Sequence, residues 1–190
     1  MEHSQQKLVV TAFDRHSRRA HVVAYEKAGN VWVQALPVME AVIGKNGVGK
    51  LQEGDDKTPL GTYPLGTAFG WGEQPLRMSY PYRIITNQDY WVDDPDSDEY
   101  NQWVHVEGDP SEQWKSYEVM NHPLYKYGAV IEYNTNPVVK GKGSAIFIHM
   151  KQPDTAFTAG CVALKEADVV RILQWLEEDK HPVIHIRTSE

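Results

Sequence analysis

The stretch SAIFIHMKQPDTAFTAGCVAL, residues 144–164, contains two strand-like segments joined by a loop. In the first segment apolar residues alternate with period two, which is the pattern of a strand with two distinct faces. One face carries Ala145, Phe147 and His149, and the other carries Ile146, Ile148 and Met150. A loop with Pro153 and Gly160 then lets the chain fold back to Cys161. We therefore predict that His149 and Cys161 lie at the ends of neighbouring strands.

A histidine within hydrogen-bond reach of a cysteine is the pair that an activated thiolate requires. The more common arrangement for such residues is a small core cysteine and a histidine with satisfied hydrogen bonds. Two features favour the reactive pair. Gly160 directly precedes the sulfur, so a substrate carbonyl can approach and main-chain amides stay open as an oxyanion hole. Gly143 and Ser144 leave space where the His149 strand begins.

The sequence around this stretch is mainly β. The segments LVVTAF, AHVVAYE, VWVQAL and VMEAVI in the first third, and YGAVIEYN and VIHIR later, read as short strands bounded by turn residues. One amphipathic helix is predicted at residues 165–178, KEADVVRILQWLEE, where apolar residues recur at helical spacing. A region of about residues 70–126 is rich in Trp, Tyr, Asp and Pro and is predicted to be a loop-rich insertion. We predict one mainly β domain over residues 1–190 with a C-terminal helix.

Length, composition and charge bound the size of the core and argue against several classes of partner and site. A chain of 190 residues with 41% apolar residues can bury one sizeable core. The net charge of −7 argues against a nucleic-acid partner, for which a basic patch is expected. A single cysteine excludes an internal disulfide, and we predict no metal site and no cofactor, because His181 and His185 lie on a predicted strand and the acidic run DDPDSDE lacks the glycine of a calcium loop. The oligomeric state is not predicted.

No apolar window approaches the roughly 18 residues that a membrane span needs, so we predict no membrane span. The start MEHSQQKLVVTAFD lacks the basic residues and the apolar segment of a secretory signal. If Met1 is the native start, we expect the protein in the cytoplasm. If an export signal precedes this sequence and has been removed, we expect it in the periplasm or cell wall.

The stretch AVIGKNGVGKLQEGD, residues 41–55, nearly matches the phosphate-binding motif G-x-x-x-x-G-K through Gly44, Gly49 and Lys50. In that motif a hydroxyl residue follows the lysine and a helix begins there. Here Leu51 follows, and LQEGDDKTPLGTYPLG is rich in helix-breaking glycine and proline. We therefore predict no nucleotide site. The glycines are expected to form tight turns near the cleft, where Lys45 and Asn46 could face a substrate.

Several separated segments agree, in order, with one known family. IFIHM, TAGCVAL, GKNGVGKLQEGDDKTPLGTYPLG and VDDPDSDEYNQWV resemble the L,D-transpeptidase catalytic domain (YkuD type) of bacterial peptidoglycan enzymes, over about residues 8–186. The resemblance implies a β-sandwich-like fold, with Cys161 as nucleophile and His149 as general base. It also implies that the Met150 carbonyl orients the imidazole. The backbone amides of Cys161, Gly160 and Ala159 would form the oxyanion hole.

The resemblance also implies a substrate. Enzymes of this family attack the carbonyl between an L-centre, usually in diaminopimelate, and the terminal D-Ala of the peptidoglycan stem tetrapeptide. Water as acceptor gives an L,D-carboxypeptidase that trims muropeptides, and we favour it because no export signal is visible. An amine acceptor gives an exported L,D-transpeptidase that forms 3-3 cross-links. A second alternative is a non-catalytic module that binds a muropeptide through an aromatic cleft.

This sequence departs from the family pattern in two places. Most members have a second histidine directly before the glycine of the cysteine motif, where Ala159 stands here, and many have Arg or Asn two residues beyond the cysteine, where Ala163 stands. The sequence therefore does not identify which residue binds a substrate carboxylate. Candidate substrate-binding residues are Thr158, Ser144, Lys151 and Arg77, and Arg83 and Lys142 are further candidate cations.

Overall fold

The computed structural model describes residues 3–189; Met1, on which the expected compartment depends, lies outside the described residues. The strands are β1 Gln6–Ala12, β2 Arg19–Ala28, β3 Val31–Gln34, β4 Met39–Val42, β5 Gly61–Gly70, β6 Tyr82–Ile84, β7 Asp89–Val92, β8 Trp103–His105, β9 Tyr117–Val119, β10 Gly128–Ile131, β11 Phe147–Met150, β12 Val162–Leu164 and β13 Val183–Thr188. The α-helix is α1 Glu166–Trp175, and single 3-10 turns occur at Pro110–Glu112, Pro123–Tyr125 and Glu178–Lys180.

The main sheet closes on itself. It runs β1, β13, β5, β10, β11, β12, β4 and β2, and β2 pairs again with β1. Most neighbours are antiparallel, but β1 with β13 and β11 with β12 are parallel. Closure pairs both edges of β1, which leaves no open edge there. The prediction of a mainly β fold with a sandwich-like core and one C-terminal helix is confirmed.

The two faces of β11 belong to different apolar clusters. Ile146, Ile148 and Met150 contribute to the main core, whereas Ala145 and Phe147 contribute to a second cluster with Cys161. The second cluster also contains Phe69, Ile85, Trp91, Met120, Tyr125 and Val130. This division agrees with the period-two alternation in the sequence, and it places His149 on the same face as Phe147.

Helix α1 packs on the main core through Val169, Ile172 and Leu173, which are fully buried. Glu166 and Asp168 in its first turn interact favourably with the helix dipole. The helix ends at Trp175, three residues before the predicted end at 178, because Leu176 is extended and turns its own side chain into the core. None of the helices within residues 3–189 is long and apolar enough to cross a bilayer.

Two regions differ from the sequence prediction in detail. Strand β5 was not predicted, because its three glycines and Pro64 mask the strand pattern, yet it pairs with β13 and β10 in the centre of the sheet. The region of about residues 70–126 contains four short strands, of which three form a separate small sheet in the order β8-β7-β9. Strands of three or four residues are too short to produce a recognisable period.

The segment that resembled a phosphate-binding loop lies along the loop that carries Cys161. The amide of Lys45 donates to the carbonyl of Thr158 at 2.9 Å, and the amide of Thr158 donates to the carbonyl of Ile43 at 2.9 Å. A Cβ on Gly44 would lie 2.6 Å from the carbonyl oxygen of Asp56, so this close approach requires glycine. The segment therefore supports the cysteine loop, and no helix follows it.

Candidate active site

The parallel pair β11 and β12 positions the histidine and the cysteine. His149 is opposite Ala163 and Ile148 is opposite Val162, so Cys161 lies beside Phe147, one pleat before His149 on the same face. Both side chains line a cavity of about 630 Å³. The structure thus brings together the two residues that the sequence singled out.

His149 is buried, with 5% of its surface exposed. Its Nδ1 lies 2.6 Å from the carbonyl oxygen of Met150, and its ring contacts Tyr125 edge-on at 5.4 Å between centroids. Since a carbonyl can only accept, Nδ1 carries the proton and Nε2 is left with a free lone pair. Burial lowers the pKa of His149 to about 4; the Met150 carbonyl opposes this and nearby His122 adds to it. The ring is therefore neutral near pH 7.

Cys161 is also buried, with 8% of its surface exposed. Its Sγ donates to the carbonyl of Ala145 at 3.3 Å and accepts from the amide of Phe147 at 3.3 Å. Burial raises the pKa of the Cys161 thiol to about 12; Glu118 raises it further, whereas the Phe147 amide and Lys50 lower it. The thiol and the imidazole that line this cavity are thus both neutral near pH 7, and the thiol donates to Ala145 instead of to His149.

This neutral pair predicts how Cys161 reacts with iodoacetamide. We expect the rate to rise about tenfold per pH unit from about pH 6 to about pH 10, because the thiolate fraction grows in that proportion below the pKa. The chain has one cysteine, so an adduct located by mass on the proteolytic peptide that contains Cys161 reports on this site. A plateau near pH 7 would contradict the expectation, since it would mean that a thiolate and an imidazolium are already formed.

Thr158 fixes the turn that precedes the cysteine. Its Oγ1 donates to the carbonyl of Cys161 at 2.7 Å and accepts from the amide of Gly160 at 3.0 Å. Gly160 has φ +144°, and a Cβ there would lie 2.8 Å from the carbonyl oxygen of Lys57. The Gly160 amide, which we predicted as an oxyanion donor, is therefore occupied by Thr158, whereas Ala159 and Cys161 line the cavity.

Replacing Thr158 by the isosteric valine tests this turn. We expect Thr158→Val to lower the free energy of unfolding by about 1–3 kcal/mol, because a buried amide and a buried carbonyl lose their partner. Urea denaturation measures the change. Thr155→Val is the matched control: Thr155 accepts one exposed hydrogen bond, from the amide of Gln152, and its loss should cost under about 0.5 kcal/mol. Equal losses in the two variants would contradict the role of Thr158.

The other predicted substrate residues separate into two groups. Thr158 and Ser144 line the cavity, and Ser144 Oγ donates to Glu53 at 2.8 Å. Arg77 and Lys151 do not line it. Arg77 is exposed in a loop with φ +62°, and the carbonyl of its neighbour Leu76 accepts from helix residue Gln174. Arg77 and Lys151 therefore lie outside this cavity, and their part in binding a substrate stays a prediction.

The further candidate cations also lie elsewhere. Arg83 pairs with Asp89 at 3.3 Å and stacks on Trp103, and Lys142 lines a separate cavity. Several residues that the sequence pattern does not single out line the cavity with Cys161: Lys50, Glu53, Asp56, Asp93, Glu118, His122, Tyr125 and Phe157. Lys50 and Glu53 lie in GKLQEGD, which is part of a segment that resembles the family. This resemblance is the sequence signal that could have identified them as site residues.

Carboxylates dominate the charge of the cavity lining. Glu53, Asp56, Asp93 and Glu118 line it, and Lys50 is the one lysine or arginine among the described residues of the lining. Glu118 accepts from the hydroxyl of Tyr125 at 2.6 Å, and burial raises the pKa of Glu118. Within residues 3–189, no three His, Cys, Asp or Glu side chains are grouped to hold a metal ion.

Comparison with solved structures shows a shared fold. The chain is similar to the helical cell shape determining protein Pgp2 from Campylobacter jejuni, with a TM-score of 0.53 and 19% identity over 98% of this chain and 49% of that chain. It is also similar to Bd1075 from Bdellovibrio bacteriovorus, with a TM-score of 0.51 and 15% identity over 96% of this chain and 48% of that chain. The chain thus spans about half the length of these solved chains.

Comparison with sequences identifies the family. No curated protein sequence matches the chain. The family model of the L,D-transpeptidase catalytic domain (YkuD) matches residues 12–184, which is most of the chain and includes both His149 and Cys161. The protein therefore belongs to the L,D-transpeptidase catalytic domain family.

Proposed function

We propose that this protein is a cysteine acyl-transfer enzyme that cleaves the L,D amide bond before the terminal D-Ala of peptidoglycan stem tetrapeptides. Cys161 is the nucleophile and His149 is the general base. The observation that carries the proposal is that both side chains line one cavity while Met150 holds His149 Nδ1 at 2.6 Å, which leaves Nε2 to accept a proton.

In the first half of the reaction, the S–H of Cys161 turns from the Ala145 carbonyl towards His149, and Nε2 takes its proton while Sγ attacks the scissile carbonyl. The neutral pair favours this coupled transfer over a thiolate formed beforehand. The new C–S bond pushes the carbonyl electron pair onto oxygen, where the amides of Cys161 and Ala159 donate to it, a contribution of about 3 kcal/mol per donor. The C–N bond then breaks, D-Ala leaves with the proton from His149, and a thioester remains.

In the second half, an acceptor attacks the thioester while His149 removes its proton, and Cys161 is released as a thiol. Water gives a stem tripeptide and an L,D-carboxypeptidase reaction, and an amine gives a cross-link. We favour water as the acceptor, because a cavity of about 630 Å³ has the size for one peptide segment. The alternative, an L,D-transpeptidase, is favoured by the four carboxylates of the lining, which attract an amine-bearing acceptor.

A second candidate function is a non-catalytic module that binds a muropeptide. The observation that favours it is the burial of Cys161, whose thiol has a pKa of about 12 and is hydrogen-bonded to Ala145 and Phe147. In that case the cavity binds stem peptides and the thiol remains a core group.

One experiment separates these functions. The protein is incubated with a disaccharide tetrapeptide, and the masses of the products are followed together with binding. Loss of D-Ala supports hydrolysis, and a dimeric product supports transfer. Binding without a change of mass supports the module. Trimming is compatible with the cytoplasm and with the cell envelope, whereas cross-linking requires the envelope, so a dimeric product would favour an exported enzyme.

A further inference from the structure

Lys50 is a buried cation in the lining of the catalytic cavity. Its side chain is 3% exposed, and its Nζ lies 2.9 Å from Oδ1 of Asp55. Among the described residues that line this cavity, it is the one lysine or arginine. None of the proposed reaction steps uses Lys50, although it lies in GKLQEGD, part of a segment that resembles the family.

The carboxylate of Asp55 holds Lys50 in place and leaves part of its hydrogen-bonding capacity unused. Asp55 also accepts from the backbone amides of Leu51, Gln52 and Lys57 at 2.8–3.1 Å, so its charge is already well stabilised. An ammonium group has three N–H donors, and Asp55 is the acceptor that Nζ reaches among residues 3–189. Donors therefore remain for a ligand in the cavity.

The position of Lys50 relative to Cys161 is fixed by the backbone. The loop that carries Lys50 is hydrogen-bonded to the cysteine loop through Lys45 and Thr158. The aliphatic part of Lys50 passes over Gly143, where a Cβ would lie 2.4 Å from Cε of the lysine. The charge of Lys50 also lowers the pKa of Cys161 against the effect of burial, so the ammonium is within electrostatic range of the sulfur.

The proposed substrate carries a carboxylate that needs such a partner. Two atoms, the amide nitrogen and Cα, separate the scissile carbonyl carbon from the terminal carboxyl carbon, so from bond lengths and angles the two carbons lie about 3–4 Å apart. The partner of the carboxylate must therefore line the same cavity as Cys161. Glu53, Asp56, Asp93 and Glu118 would repel it, and burial lowers the pKa of His122, which keeps that ring neutral.

We propose that Lys50 binds the α-carboxylate of the D-residue that leaves, and thereby selects substrates with a free C-terminus next to the L,D bond. The proposal rests on the function proposed above for the choice of ligand. It also supplies a partner for the carboxylate in a chain with Ala163 two residues beyond the cysteine, where many members of the family have Arg or Asn.

The first test needs no turnover. N-acetyl-D-alanine, which places an acyl group near Cys161 when its carboxylate is bound, should protect the cysteine of the wild-type chain from iodoacetamide. N-acetyl-D-alaninamide should protect much less. In Lys50→Gln the apparent Kd of the acid should rise about tenfold, the effect of one charge-assisted hydrogen bond, and that of the amide should not change. Because Kd comes from the dependence on ligand concentration, a change in thiol reactivity does not affect it.

Two variants serve as controls. Lys50→Arg keeps the charge and should retain the preference for the acid. Lys140→Gln removes an exposed lysine that pairs with Asp98 outside the cavity, and it should behave as wild type. Equal protection of the wild-type chain by acid and amide overturns the proposal, and so does a preference for the acid that survives in Lys50→Gln. If Lys50→Gln does not fold, the comparison of acid and amide on the wild-type chain can still overturn the proposal.

The second test uses turnover of the tetrapeptide and of its C-terminal amide. Lys50→Gln should lower the ratio of kcat/KM for the acid to kcat/KM for the amide about tenfold, and this ratio cancels any change in thiol reactivity that acts on both substrates. A chain that never releases D-Ala but shows Lys50-dependent protection refutes the proposed reaction and supports the carboxylate site. Turnover that is equally fast for acid and amide refutes the carboxylate site and supports the reaction.

Discussion

Cys161→Ala is expected to reduce the release of D-Ala from a tetrapeptide by at least about 10⁴-fold, because no other residue can form the thioester. Cys161 is the only cysteine of the chain, so no second thiol can replace it. The fold should persist. The sulfur makes two hydrogen bonds of 3.3 Å, and its removal should cost about 1–2 kcal/mol of unfolding free energy. Product masses and urea denaturation measure the two effects separately.

Cys161→Ser is the matched control for this substitution. The hydroxyl can take over the contacts with Ala145 and Phe147, but it is a poorer nucleophile than a thiol, so turnover should still be largely lost. Retained turnover in Cys161→Ala would end the assignment of the nucleophile. Binding of the tetrapeptide by both variants is expected under the enzymatic function and under the binding module, so turnover by the wild-type chain is the result that distinguishes them.

The central part of the fold is predictable from local pattern. The alternation in residues 144–150 predicts which face of β11 carries His149, because one face joins the main core and the other joins the second cluster. The apolar spacing of α1 is equally direct. Strand β5 is not predictable in this way, because its position between β13 and β10 depends on partners distant in sequence.

The sequence identifies a site residue only where its residue type has few structural roles in proteins. A lone cysteine after glycine and a strand-end histidine stand out, and the structure places both on one cavity. Lys50 and Glu118 do not stand out, because lysine and glutamate are common on surfaces and only the tertiary fold buries them at this cleft. The surface loop of Arg77 is the converse case: a plausible cation that the fold places elsewhere.

His149→Gln should lower kcat by about 10²- to 10⁴-fold, because glutamine cannot take the proton of Cys161. Glutamine can still donate to the Met150 carbonyl, so the loss should reflect proton transfer and not the position of the strand. The rate measured with saturating tetrapeptide tests this. A variant that keeps more than about a tenth of the wild-type kcat would contradict the role of His149 as general base.

The same substitution should change how stability depends on pH. The pKa of His149 is about 4 in the folded chain and 6.5 as the reference value for an unfolded one, so between these values the unfolded chain binds the extra proton. Stability is therefore lost as pH falls from about 6.5 to about 4, by roughly 3 kcal/mol from this residue.

Urea denaturation at about pH 7 and about pH 4.5 should show a smaller acid loss in His149→Gln than in the wild-type chain. His16→Gln, which removes an exposed histidine, should follow the wild type. An acid loss in His149→Gln as large as that of the wild type would mean that His149 titrates normally in the folded chain and that burial does not lower its pKa.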